Sequence, residues 1–289
     1  MSLFFSEILK NALAGKWSTG HFNISNLEQM RAICQAAFNL KSPVIIGTSE
    51  GERKYIGLFE AVSLRDAFRK EFGMPIFLNA DHSKSVEAAK VAVDAGYDSI
   101  HIDLSALSYE DNVAGTAEVV RYAKSKNPEI NVEGELGILK GESKIQKEII
   151  EVKPEELTTP DEAADFVKRT GIDRLAPAVG NIHGISANKK IIYPDLIRRI
   201  REAIPENVGL TLHGGSGISD DQISGAIEAG VNNIHINTEI RVADTEALKK
   251  SLASHPEETT PYKISQPVID AVREKVEEKL KLFGSINRI

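Results

Sequence analysis

Cysteine is almost absent. Cys34 stands alone among 289 residues, so no disulfide can close within the chain, and neither a CxxC redox pair nor a multi-cysteine zinc site can be built. A reducing cytoplasm suits such a chain. Long apolar runs are also missing. Nowhere do about 18 apolar residues run uninterrupted, and Ser6, Glu7 and Lys10 break the opening segment MSLFFSEILKNALAGKW. Neither a secretory signal nor a transmembrane span is expected, and a membrane is not an expected partner. Positive charge is scarce: 35 Lys and Arg stand against 42 Asp and Glu, with no basic stripe. That balance argues against nucleic acid as a partner. No Pro/Ser/Gly linker tract divides the chain, so residues 1–289 are expected to form a single domain.

What is present is alternation. Short apolar runs at 17–24, 43–49, 75–80, 99–103, 130–136, 174–179, 208–212 and 233–237 are separated by helical patterns, the signature of repeated βα units and a parallel sheet. The helical patterns fall at 26–40, 56–72, 85–95, 114–126, 160–170, 194–203, 220–229 and 241–251. Glycines just past helical runs, at Gly96, Gly171 and Gly230, suit left-handed caps. Eight such units predict an α/β fold, a (β/α)8 TIM barrel, and Val268, Val272, Val276, Leu280 and Leu282 predict an additional C-terminal helix packed on the barrel or on a partner subunit. Residues 137–159 are polar and long for a βα connection, hence either a mobile functional loop or a disordered insertion.

Active sites of such barrels lie at the C-terminal ends of the strands. The runs here end on Asn23, Ser49, Asp81 with His82, Asp103, Glu135, His183 in GNIHG, His213 in LHGGSG, and Asn237 with Thr238. All are polar, which points to one shared site. Neutral imidazoles favour zinc, and three of them with an open fourth position describe a catalytic ion, so His82, His183 and His213 form a candidate metal set. His21, His101 and His255 read as structural. The glycines of GNIHG and LHGGSG let backbone N–H groups approach an anion, Ser216 adds a hydroxyl, and the loops after strands seven and eight are where barrels often hold phosphate. Metal and phosphate together imply a phosphorylated carbonyl substrate. A Schiff-base lyase needs a lysine within a strand, and none of the eight runs contains one, so Lewis-acid catalysis is favoured.

These residues resemble the class II, metal-dependent aldolases, which include fructose- and tagatose-1,6-bisphosphate aldolases. The likeness runs from about Gly20 to Glu239 through FNISNLEQ, SPVIIGTSEG, NADHS, AGYDSIHID, VEGELG, GNIHG, LHGGSGI and INTE. It implies zinc held by His82, His183 and His213, with Asp103 and Glu135 at alternative or second metal positions. Asp81 resembles the acid/base that exchanges a proton with the substrate C4 hydroxyl. Gly184, Gly214, Gly215, Ser216, Asn237 and Thr238 match positions that hold a phosphate, and Asn23 and Ser49 match substrate contacts. The implied reaction is reversible cleavage of a ketose 1,6-bisphosphate, most of all fructose 1,6-bisphosphate, to dihydroxyacetone phosphate and glyceraldehyde 3-phosphate. Tagatose 1,6-bisphosphate, another ketose phosphate, or a non-catalytic sugar-phosphate-binding role are the alternatives. A monovalent cation (Na+ or K+) near the phosphate loops and a homodimer or homotetramer are further implications.

Three departures from the family pattern stand out. His235 replaces a family Asn two places before Asn237, where it can donate an equivalent hydrogen bond, ligate a metal, alter the chemistry or simply fill the core. Residues 140–144, KGESK, lack the loop acid at its usual place, leaving Glu142 as a catalytic substitute or an ordinary solvated charge. The family's phosphate-binding lysine is replaced near Ala187, with Lys189 and Lys190 as candidate substitutes.

Overall fold

A computed structural model describes residues 4–187 and 190–289. Eight parallel strands, β1 (Thr19–Asn23), β2 (Val44–Thr48), β3 (Ile76–Ser83), β4 (Ser99–Ile102), β5 (Asn131–Leu136), β6 (Arg174–Pro177), β7 (Gly209–Leu212) and β8 (Asn233–Ile236), form a closed barrel in chain order, β8 pairing back onto β1. The α-helices of the described residues are α1 (Phe5–Ala14), α2 (Leu27–Asn39), α3 (Glu50–Ile56), α4 (Leu58–Phe72), α5 (Val86–Ala95), α6 (Tyr109–Lys126), α7 (Pro160–Thr170), α8 (Pro194–Ala203), α9 (Asp220–Glu228), α10 (Thr238–Ser254) and α11 (Pro261–Leu282). The (β/α)8 expectation is met. None of these helices is long and apolar enough to cross a membrane.

Local chemistry sets the helix ends. Asn26 accepts the Gln29 N–H at 2.8 Å ahead of α2, and Ser85 accepts the Ala88 N–H at 3.1 Å ahead of α5. Ser108 starts α6 at Tyr109, well before the expected residue 114, because its side chain accepts the Asp111 N–H. Gly96 and Gly171 end α5 and α7 in the left-handed conformation. Along the strands, side chains alternate between the helices and the barrel axis. The outward set, including Phe22, Ile46, Leu78, Ile100, Val132, Leu175, Leu210 and Ile234, is fully buried. Each contributes roughly 1.5–3 kcal/mol by leaving water. Val268, Val272, Val276 and Leu280 of α11 are buried, with α11 lying along α2 and α10. The barrel itself therefore covers the apolar face of the tail.

The inward set is largely polar, unlike the branched apolar filling usual for this architecture. Arg174, fully buried at the start of β6, donates to Asn131 Oδ1 (2.7 Å), Asn233 Oδ1 (2.7 Å) and Ser99 Oγ (2.6 Å), and lies 3.1 Å from Glu133 Oε2. Beneath it, α1 plugs the barrel. Phe5 stacks on Phe77 with ring centroids 4.7 Å apart and lies 4.9 Å from the Arg174 guanidinium. This helix lies outside the helical patterns read from the sequence.

At the other end, residues 137–159 are built into the mouth rather than projecting as a disordered insertion. Ile145 bridges to Ile185, the His183 N–H donates to Lys140 O (2.9 Å), and Thr158 Oγ1 donates to Leu136 O (2.7 Å). The loop is thus tied to the connection that carries GNIHG.

The buried Arg174–Glu133 pair yields a stability prediction. Replacing Arg174 by Met leaves the Glu133 charge without its cation in the barrel interior, so stability to urea falls by about 3–5 kcal/mol. A loss below about 1 kcal/mol would show that other groups carry the charge.

Candidate metal centre

Adjacent strand residues normally point to opposite faces, yet Asp81 and His82 both face the axis. A bulge in β3 is the reason. Asn79 pairs with Ser99 and Ala80 with Ile100, but Ser83 then pairs with Ile102, so Asp81 and His82 together oppose His101. His82 takes φ +46, a left-handed conformation that costs a non-glycine residue about 1–3 kcal/mol. Its own N–H donates to His101 Nδ1 at 3.2 Å, which leaves the His101 proton on Nε2, 3.2 Å from Glu135 Oε2.

The three expected ligands converge. His82 Nδ1 lies 2.7 Å from Asp103 Oδ2 and 3.5 Å from Glu135 Oε2, so its proton sits on that nitrogen and Nε2 is left with a lone pair. His82 Nε2 is 3.2 Å from His183 Nε2. Two nitrogens on one tetrahedral zinc ion lie about 3.3 Å apart, so the pair already stands at ligand spacing. The His213 ring meets that of His82 edge-on, centroids 4.8 Å apart, and its Nε2 donates to Glu133 Oε1 at 2.7 Å. That bond leaves Nδ1 as the ligand nitrogen, in the carboxylate–histidine arrangement that fixes metal-binding imidazoles. Burial, reinforced by His82 and His213, holds the His183 imidazole well below its usual pKa, in the neutral form a metal needs. The donor set fits a divalent ion.

Asp103 and Glu135 lie on the Nδ1 side of His82. Asp103 also bonds Ser105 Oγ (2.7 Å) and the Lys84 ammonium, so it orients His82 in this arrangement. Asp81 Oδ2 accepts from Asn23 Nδ2 at 3.0 Å, and Asn23 also donates to Glu52 Oε2 at 2.9 Å. Asp81 Oδ1 has no aligned hydrogen bond, although His235 Nδ1 (3.4 Å) and His101 Nδ1 (3.6 Å) face it. Burial would raise the Asp81 carboxyl, but the neighbouring His82 outweighs it and holds the group well below the usual carboxylate range.

His235 does face inward, as its register predicts. Its ring stacks on His21 with centroids 3.5 Å apart, and Nε2 pairs with Asn233 Oδ1 at 3.0 Å. Its place is the floor beneath Asp81. His21 and His101, read from the sequence as structural, are fully buried inside the same cluster. Glu133, not singled out at all, touches His213, Thr211 and Arg174. Strand parity carried the missing signal, because these residues sit two positions before Asn23, Asp103 and Glu135 and so share their face.

Most of the residues expected to meet an anion line the mouth: Gly184, Gly214, Ser216, Asn237 and Thr238 surround the same pocket as Asn23, Asp81, His82, His183, His213 and His235. Thr238 opens α10, whose N-terminus favours negative charge. Gly214, at φ +63, must be glycine, since a Cβ would meet Ile182 O at 2.2 Å. Gly215 lies below this surface, its N–H bonded to His235 O at 3.0 Å. Ser49 is engaged in capping α3 with Glu52 and does not line the pocket. Glu142 is not brought into the cluster either. Its side chain is 73% exposed and pairs with Lys144 at 2.6 Å, while Ser143 reaches the pocket lining in its place. Arg241 spans the mouth from Ser143 O (3.0 Å) to Glu52 Oε1 (2.6 Å). Ala187 is exposed, Lys189 lies outside the described residues, and Lys190 is buried at 3% exposure. A second cleft, by Gly73, Pro75 and Glu129 at the opposite rim, has its Arg65 and Arg69 already paired with Asp98.

A closed parallel barrel whose mouth joins three histidines, a buried carboxylate and glycine-rich loops is the build of an aldolase, a lyase. More particularly, the chain belongs to the class-II fructose-bisphosphate aldolase family, whose model matches residues 5–288. It is 40% identical over 283 residues to the fructose-bisphosphate aldolase of Geobacillus stearothermophilus, covering 96% of both chains. It is 37% identical to the probable fructose-bisphosphate aldolase of Bacillus subtilis, covering 98% of each. In three dimensions it resembles the YdjI aldolase of Escherichia coli K12, with a TM-score of 0.84, 31% identity and coverage of 100% of this chain and 99% of that one.

Glu133 supplies the test of how this centre is held. Replacing Glu133 by Gln weakens the anchor of His213 and lowers zinc affinity by about 10–100-fold, measured by competition with a chromogenic chelator. Unchanged affinity would remove Glu133 from the support of the centre.

Proposed function

We propose that the protein is a zinc-dependent aldolase that reversibly cleaves a ketose 1,6-bisphosphate, foremost fructose 1,6-bisphosphate, to dihydroxyacetone phosphate and glyceraldehyde 3-phosphate. The observation that carries this reading is the placement of Asp81 beside His82 and His183, whose Nε2 atoms stand 3.2 Å apart. His82, His183 and His213 hold the ion, with Asp103 and Glu135 available at an alternative position. When bound, the ion polarises the substrate carbonyl and stabilises the negative charge that grows on its oxygen as the C3–C4 bond breaks.

The chain's own residues do the rest. Asp81 takes the C4 hydroxyl proton in cleavage and returns it in condensation, with Asn23 fixing the carboxylate by its 3.0 Å bond. A proton on Oδ1 then has His235 Nδ1 as its acceptor, which gives His235 a duty below Asp81. Gly184, Gly214, Ser216, Asn237 and Thr238 receive the phosphate of the dihydroxyacetone half, with Gly215 shaping the loop beneath. Arg241 is the cation beside the mouth suited to the other phosphate. Ser49 acts through Glu52, and Glu142 reaches the substrate only if the loop rearranges. The reading implies a cytoplasmic enzyme of glycolysis and gluconeogenesis, formed by residues 1–289 as one unit and assembled as a homodimer or homotetramer, for which Tyr55 and Phe59 offer exposed apolar surface.

Turnover of fructose 1,6-bisphosphate, tagatose 1,6-bisphosphate and singly phosphorylated ketoses, measured side by side, tests the substrate. Fructose 1,6-bisphosphate gives the highest kcat/KM; a clear preference for another sugar reassigns it. Replacing Asp81 by Ala lowers kcat by at least about 100-fold with zinc content unchanged, whereas replacing His213 by Ala loses the metal. Full activity in the Asp81 variant would contradict its role.

A further inference from the structure

Three backbone carbonyls from two loops converge on one point under the anion-binding mouth. Lys190 Nζ donates to Ile182 O at 2.7 Å, to Gly214 O at 2.7 Å and to Ser216 O at 2.6 Å. Ile182 precedes His183, and Gly214 and Ser216 line the pocket. Carbonyl oxygens gathered at one interior point repel each other and require a cation; such clusters are how proteins hold desolvated alkali ions. Here the cation is covalently attached. An ammonium has three N–H donors, which match the three acceptors, whereas a neutral amine has two and would turn a lone pair on the third. Burial lowers the Lys190 pKa to about 7 against the pull of Glu239, and the three carbonyl acceptors are what favour the charged form.

We propose that Lys190 is a built-in replacement for a monovalent cation: its ammonium clamps the GNIHG and GGSG loops together beneath the phosphate. A free Na+ or K+ at these carbonyls does not fit, because all three are occupied and the ion would press against an ammonium. Lys190 is accordingly a positioning residue, since it acts through the loops, and the inference rests on the phosphate-binding reading of the mouth.

Binding of inorganic phosphate, followed by calorimetry, tests it independently of turnover. The wild-type protein binds phosphate equally well in tetramethylammonium chloride and in potassium or ammonium chloride. Replacing Lys190 by Ala opens the site: phosphate affinity and substrate KM worsen roughly 10-fold in tetramethylammonium, and potassium or ammonium restores them. Replacing Lys190 by Met fills the space with an apolar chain, and neither ion rescues it. A wild-type protein whose phosphate affinity rises several-fold with potassium would overturn the proposal even if the variants fail to fold. So would an Ala variant with wild-type affinity in tetramethylammonium. If the wild-type protein binds no phosphate under any of these salts, the reading of the mouth itself falls, and this inference with it.

Discussion

A carboxylate buried on the barrel axis must have its charge and lone pairs claimed, and Glu133 organises the structure through that requirement. Arg174 lies 3.1 Å below it, Thr211 donates to Oε2 at 2.9 Å, and His213 donates to Oε1 at 2.7 Å. Leaving such a charge unpaired in the interior would cost several kcal/mol, so these partners are held in place by the need to satisfy it. The consequence reaches the chemistry. His213 is turned so that its other nitrogen faces the mouth, and Arg174, through Asn233, sets the orientation of His235 beneath Asp81. Helix α1 seals this axis from below with Phe5.

The bulge in β3 is the second determinant. By putting two residues opposite His101, it lets neighbouring positions serve one site, His82 toward the ion and Asp81 toward the proton. The left-handed backbone at His82 is a local cost that the surrounding hydrogen bonds to His101 and Asp103 offset.

How much of this was legible in the sequence follows from period two. Strand-end residues such as Asn23, Asp81, His82 and His213 stand out because polar groups end apolar runs, and eight such runs specify the barrel. Their inward neighbours His21, His101 and Glu133 do not stand out, since a polar residue inside a short run reads as a satisfied core group until the third dimension shows what it touches. The bulge leaves no sequence mark, as its cause lies in pairing with β4. Glu142 is the opposite case: an acid near the expected place in the chain has an exposed side chain paired with Lys144. Lys190 invited a phosphate-contact reading, and the structure instead closes its ammonium on three carbonyls, a partner set no side-chain pattern encodes.

In the proposed function, histidines oriented by buried carboxylates hold a metal on which aldol cleavage depends. Triose phosphate release from fructose 1,6-bisphosphate, measured on one preparation as purified, after chelator treatment and after return of zinc, tests it most directly. The expected result is that cleavage disappears with the metal and returns with zinc. Undiminished cleavage by protein shown to be free of metal would contradict it.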